Sequence, residues 1–447
     1  MTVYIILGVY ALIVLAISLR ERNAASVSQF VIGKGDASWY AVAAAIFSLI
    51  GGGEIVALTA LAFSYGPSAI SLFGGYAAGF VVLGMLSPYI KKDVGNRTFV
   101  SLPDFIHDRF GPFAGQIVFA CSFLAFFALL MIQFSAGGTL VSSLTGISYT
   151  TAAILIGLIV TSYLAIGGFR TVILTDLLQG FSRLALAGLL LFAFISSGSS
   201  LPLGSAPPEA LPMEVVVGLL LTGFFTATAS ADVWQRVYAA ESDRAAFWGL
   251  SAGAALMLLF GLMLVFLGMV AKAIAPASAP DAAFTTALNG GLAPWAVTLA
   301  MALVLISVLS TADTEIFVLA SLLGREVGRD GAVVLPVLEA SRPPTWARVV
   351  VVLVGIASTM CALYFTEVLT VYIWLLALLL AISPAVLCGF VIKKKTKVVG
   401  FAVLANLMLL GGLGILGVIT AESAFWIVVP GFVLMAIAYL GSRIQTR

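Results

Sequence analysis

Charge is what this chain has least of. Only 9% of its 447 residues are Asp, Glu, Lys or Arg, while 62% are hydrophobic. Soluble globular domains carry about one quarter charged residues. A chain this poor in charge cannot wrap its apolar surface in a water-facing skin, which excludes an ordinary soluble domain and makes lipid part of its solvent. Histidine is nearly absent: the single His107 lies in a polar loop, so a zinc or haem centre built on histidines is not expected. The three cysteines, Cys121, Cys361 and Cys388, all fall in apolar runs and imply no disulfide framework. No nucleophile set, metal cluster or nucleotide loop is evident, and the chain is not expected to be an enzyme.

Apolar runs are what is there. A helix needs about 20 apolar residues to cross hydrocarbon. That rule predicts an all-α integral membrane protein of about thirteen transmembrane helices, near 2–19, 39–66, 68–90, 113–142, 149–168, 172–198, 211–235, 245–274, 294–323, 346–365, 367–391, 397–420 and 423–442. The first run ends at Ser18-Leu19-Arg20 with no basic segment before it, so it reads as a membrane span and not as a cleaved signal peptide. Lysine and arginine alternate from loop to loop. The loops that begin at 20, 91, 169, 236, 324, 392 and 443 hold nearly all of them, and the opposite set holds only Lys272. Short basic loops stay in the cytoplasm. This predicts a multi-pass protein of the plasma or inner membrane, amino terminus outside and carboxy terminus inside.

The second to sixth spans then start inside, and the seventh to eleventh start outside. Two five-helix units of opposite sense are a pointer to a secondary transporter. The expected division is an extra helix and loop at 1–38, a first inverted repeat at 39–198, a second at 199–391 and two closing helices at 392–447.

Five acids fall inside apolar runs: Glu54, Asp176, Asp232, Asp313 and Glu315. Each costs roughly 2.5–3.5 kcal/mol on insertion scales. Arg183 is the one base well inside a span, so bound cations or protons are expected to supply the remaining positive charge. Solvation at a wet cytoplasmic mouth is the alternative, evenly balanced for Asp232 and Glu315. In the second span, Gly51-Gly52-Gly53-Glu54 invites an unwound turn whose carbonyls ligate a small cation; close helix packing through small residues is the alternative. The ninth span carries Ser307, Ser310, Thr311 and Thr314 on one face, with Asp313 beside them. The seventh ends in Thr226-Ala227-Thr228-Ala229-Ser230-Ala231-Asp232, the inverted counterpart of the glycine-rich break.

Several stretches together resemble the sodium:solute symporter family, which holds the bacterial proline and sialic acid symporters and the sodium–glucose cotransporters. They are Phe30-Val31-Ile32-Gly33-Lys34-Gly35, Leu102-Pro103-Asp104-Phe105 with Asp108-Arg109-Phe110-Gly111, Gly167-Gly168-Phe169 with Thr175-Asp176 and Gln179, Gln235-Arg236 with Ala239-Ala240, and Ser310-Thr311-Ala312-Asp313-Thr314. The resemblance implies the inverted five-plus-five fold of the bacterial leucine transporter and a shared sodium site. Its ligands would be the carbonyls of Phe47, Ile50 and Ser307 with the hydroxyls of Ser310 and Thr311. A second sodium, bound in some members, would use Asp176, Ser310, Asp313 and Thr314.

The expected function is sodium-coupled import of a small organic solute by alternating access. Gly51, Gly53, Glu54, Ser230, Asp232, Trp374 and Leu376 are the expected solute contacts. Tyr372, Trp374, Leu376 and Leu380 stand where sugar carriers have amides and other polar groups, so an amino acid or an amine is expected before a sugar. A proton-coupled carrier of the same fold, or a transporter-like sensor without flux, are the rivals. Partners beyond the solute and the bilayer are not expected, nor is nucleic acid.

Overall fold

The structure is a computed structural model and describes residues 2–23, 30, 35–92, 101–196, 212–323, 345–364, 368–392, 397–418 and 423–444. In the basic loops that set the orientation above, Lys34, Arg97, Arg325, Arg329, Arg342, Lys393 to Lys395 and Arg447 lie outside the described residues, as do positions 31–33 of the first motif.

Among the described residues, each stretch assigned to the bilayer from sequence is largely helical. In chain order the helices are α1 (Thr2–Glu21), α2 (Trp39–Phe47), α3 (Gly52–Tyr65), α4 (Ile70–Lys92), α5 (Leu102–Phe110), α6 (Pro112–Thr145), α7 (Tyr149–Gly167) and α8 (Phe169–Ser196). They continue as α9 (Met213–Ala229), α10 (Ala231–Ala239), α11 (Asp243–Ile274), α12 (Ala283–Gly291), α13 (Pro294–Leu323), α14 (Thr345–Ala362), α15 (Val368–Val391), α16 (Lys397–Ile415) and α17 (Val428–Ile444). Among the described residues nine helices are long and apolar enough to cross a membrane, or ten with the bent pair α9–α10 taken as one span. That count is lower than thirteen partly because α3, a 3-10 turn and α4 form one continuous run, Gly52–Lys91, and because α14 contributes only a shorter apolar helix, Ala347–Ala362.

The element order repeats. A broken helix (α2–α3), a long helix (α4), a nine-residue helix (α5) and three more long helices are followed by a second broken helix (α9–α10), a long one (α11), a nine-residue one (α12) and again three. This is the inverted five-plus-five transporter fold.

The first break falls at Ser48–Gly51, slightly before the glycine run expected to unwind. Gly52 and Gly53 already belong to α3. The reason is a cap: the Gly51 N–H donates to Glu54 Oε2 at 2.9 Å, so the helix restarts as soon as the acid can reach back. Gly51 must stay small. A Cβ there would sit 2.6 Å from Thr311 Oγ1 and 2.8 Å from the Gln133 amide. The second break is at Ser230, whose extended backbone bends α9 against α10 by 50°. Asp232 caps this restart, accepting from the Val233 N–H at 2.7 Å and from the Ser230 hydroxyl.

Small residues seat both breaks against their neighbours, as membrane helices require. Along α11, Gly249 and Gly253 lie against Val42 and Ile46 of α2, and Gly268 lies against Thr59 and Ala62 of α3. Gly75 and Gly79 of α4 meet the backbone of Leu220 and Phe224 on α9, and Gly223 returns the contact to Leu72. Between α7 and α8 the chain turns at Gly168, with φ +75°, where a Cβ would lie 2.7 Å from the Phe30 ring. A β-bridge between Ala37 and Ala240 ties the start of α2 to the end of α10.

Candidate ion and solute site

The two breaks face a cavity of about 70 Å³. Its wall takes Leu49, Ile50 and Glu54 from the first break, Thr226, Ser230 and Asp232 from the second, Thr311, Thr314 and Glu315 from α13, and Leu375, Leu376 and Leu379 from α15. Phe73, Tyr76, Phe80 and Phe126 complete it. Three carboxyl groups therefore line one small chamber. Glu54 and Asp232 are each engaged as helix caps. Glu315 is 2% exposed, and its Oε2 has no hydrogen-bond partner. The Gln133 side chain, fully buried on α6, abuts the break at Gly51.

Of the expected solute contacts, Glu54, Ser230, Asp232 and Leu376 line this cavity. Gly51 and Gly53 do not; they pack on Thr311, Gln133 and Ile132. Trp374 does not either. It is 40% exposed and its ring lies against Gly414 of α16. Glu315 and Gln133 were not among the expected contacts. Glu315 was one of the five acids noted inside apolar runs, and Gln133 is a polar group within the apolar stretch 123–134.

A second, drier cluster lies beside the cavity, between α8, α10 and α13. Ser310 Oγ donates to Asp176 Oδ1 at 3.3 Å. The phenol of Tyr163 and the hydroxyl of Thr175 donate to Asp313 Oδ2 at 2.9 and 3.1 Å. Both acids are fully buried, and Asp313 Oδ1 has no hydrogen-bond partner. Arg236 reaches in from α10: its Nη2 donates to Thr314 Oγ1 at 2.8 Å and lies 3.7 Å from Asp176 Oδ2. Reading Arg236 as a cytoplasmic loop base is thus corrected. It belongs to α10, after the 50° bend, and is 2% exposed. The four residues expected at a second sodium site, Asp176, Ser310, Asp313 and Thr314, all belong to this cluster, with Arg236 bonded to one and paired with another.

Of the atoms expected at the shared sodium site, Ile50 O, Ser307 O and Thr311 Oγ1 come together at the first break. Thr311 Oγ1 is 3.1 Å from both the Ser48 and the Ser307 carbonyls, and donates its one proton to either. The Ser310 hydroxyl points away, to Asp176. The Arg183 guanidinium stands among the carbonyls. Its Nε donates to Ile50 O at 3.2 Å, and its Nη2 to Ser48 O at 2.9 Å and Ser307 O at 3.3 Å. The Phe47 ring lies 6.0 Å from the guanidinium carbon and packs edge-on against Phe260.

The model of the sodium:solute symporter family matches residues 30–393. Among curated proteins, a sodium/pantothenate symporter of Haemophilus influenzae is 53% identical over 57 residues, 13% of this chain and 12% of that protein. A sodium/proline symporter of Staphylococcus aureus is 30% identical over 187 residues, 40% of this chain and 36% of that protein. The matched segments thus span about a third or less of these relatives' own length. Among solved structures, a Na⁺-coupled sialic acid symporter in a substrate-bound outward-open state aligns over 98% of this chain and 96% of its own, with a TM-score of 0.79 at 15% identity. A nucleobase–cation symport family transporter in a closed conformation aligns over 94% of both chains, with a TM-score of 0.62 at 14% identity.

Proposed function

The chain belongs to the sodium:solute symporter family, and from that premise we propose that it is a sodium-coupled symporter importing a small amine or amino acid by alternating access. The observation that carries this reading is the cavity between the two breaks with Glu54, Asp232 and Glu315 in its wall. Carboxylates in a low-dielectric chamber favour a cationic group, and Phe73, Tyr76, Phe80 and Phe126 offer ring faces to an ammonium.

Asp176, Ser310, Asp313 and Thr314 offer carboxylate and hydroxyl oxygens, the ligands a hard monovalent cation takes. In this reading the ion steadies α8 and α13 against the second break. The solute engages Glu315 and the capped half-helices, and the repeats then rock to open the chamber inward. Coupling is mutual: each ligand raises the other's affinity by the same factor. We further place the protein in the plasma or inner membrane, amino terminus outside.

Proton coupling is the second reading, favoured because Arg236 is bonded to one member of this oxygen set and paired with another, and because Asp313 Oδ1 has no hydrogen-bond partner. Purified protein in liposomes decides. Radiolabelled amines and amino acids are offered under an inward sodium gradient, a choline gradient and a pH gradient. Concentrative uptake only with sodium supports the proposal, and uptake driven by pH alone transfers it to protons. Binding without flux for every solute overturns both in favour of a sensor.

A further inference from the structure

Arg183 is a costly residue. It is fully buried, 14 positions into α8, and its nearest polar contacts are three backbone carbonyls and no carboxylate among the described residues. A buried guanidinium usually seeks an acid. Asp176 and Asp313 share the same core, yet the side chain gives its hydrogen bonds to the first break and to α13. Its targets are the carbonyls of Ser48 and Ile50, freed by the unwinding after α2, and the carbonyl of Ser307 on α13. Carbonyls at the end of a half-helix carry the negative end of its dipole, and a cation placed there is stabilising. Two of the three, Ile50 and Ser307, are oxygens expected to ligate the shared sodium.

We propose that Arg183 is a built-in cation that replaces the shared sodium, so that the first break is held in its solute-competent shape without an ion at that position. The guanidinium supplies the positive charge. Its planar fork joins the two elements a sodium ion would join: Nε takes the break and Nη2 bridges the break to α13. Thr311 adds its hydroxyl to the same carbonyls. Any sodium the protein uses must then bind at the Asp176, Ser310, Asp313 and Thr314 cluster. Only this last consequence rests on the proposed sodium coupling; the replacement itself rests on the geometry at the break.

Amide hydrogen exchange of the detergent-purified full chain, read over residues 46–54, tests this in sodium chloride against equimolar potassium chloride. Exchange in the wild type is expected to carry no sodium-specific slowing that Thr311→Ala removes. In Arg183→Met, sodium but not potassium is expected to slow it about tenfold at a concentration ten times the dissociation constant, and adding Thr311→Ala is expected to abolish the effect. Arg183→Lys, which keeps the charge, is expected to behave as the wild type. Two results overturn the proposal: Thr311-dependent sodium slowing in the wild type, or a monodisperse Arg183→Met with none. Should Arg183→Met not fold, the wild type with and without Thr311→Ala decides alone. The readout needs no flux, so a chain that moves no solute can still pass, and a working symporter can still fail.

Discussion

Removing Arg236 isolates one electrostatic link on which the ion cluster depends. Its Nη2 lies 3.7 Å from Asp176 Oδ2, and the two side chains are 3% and 0% exposed. At that separation, with an effective dielectric near 20, the gross attraction is about 4 kcal/mol. Truncating one partner of such a pair costs about 3–5 kcal/mol, because the other charge stays buried alone. Arg236→Met is therefore expected to lose roughly that much stability, including its bond to Thr314. Asp176→Asn should lose less, since an amide still accepts from Ser310. The double variant should lose less than the sum, by about 1–3 kcal/mol. Equilibrium unfolding in mixed micelles of increasing SDS fraction, on all four proteins, measures the coupling. Additivity within about 0.5 kcal/mol would refute the ion pair and with it the placement of α10 over the core.

Four further outcomes follow from the same geometry. Gly51→Ala forces a methyl group to 2.6 Å from Thr311 Oγ1 and should destabilise by about 1–3 kcal/mol, read as a lowered melting temperature. Glu315→Gln should remove most of the thermal stabilisation given by a cationic solute while leaving the unliganded protein folded; an unchanged shift would exclude Glu315 from the site. Asp176→Asn should raise the sodium concentration for half-maximal stabilisation at least about tenfold, whereas Thr311→Ala alone should change it little. Gly223→Leu would drive a side chain into the Leu72 carbonyl across the α4–α9 contact, and loss of monodisperse protein in gel filtration is the expected result.

Much of this architecture was legible in the residues. Apolar runs located the helices, because lipid permits few alternatives to helix at that depth. Both breaks were legible, since Gly51-Gly52-Gly53-Glu54 and Thr228-Ala229-Ser230-Ala231-Asp232 combine poor helix formers with an acid able to cap the restart. What escaped was side-chain destination. Arg236 follows an apolar run, and by composition it reads as a loop base; it lies after the 50° bend at Ser230 and is buried. Arg183 was visible as a buried base, but its length lets it reach either acids or carbonyls, and sequence does not choose between them. Trp374 sits on a helix that is apolar on every side, so periodicity could not say which face met the cavity and which met Gly414.

The acids divide by how the protein satisfies them, and the division tells what each is free to do. Glu54 and Asp232 sit in the first turns of α3 and α10, where helix dipoles and backbone N–H groups stabilise a negative charge without any cation. Asp176 has Arg236 and Ser310, and Asp313 has Tyr163 and Thr175. Arg183 gives its hydrogen bonds to carbonyls and offers none to these carboxylates. In this core the acids have Arg183 and Arg236 beside them, of which Arg183 is committed to the backbone, and Glu315 Oε2, in the cavity wall, has no hydrogen-bond partner. A cationic group entering the chamber therefore gains most at Glu315. At Glu54 or Asp232 it would compete with a cap, and each cap holds one of the two half-helices that frame the cavity. Engaging Glu315 leaves both caps, and the two half-helices they hold, intact.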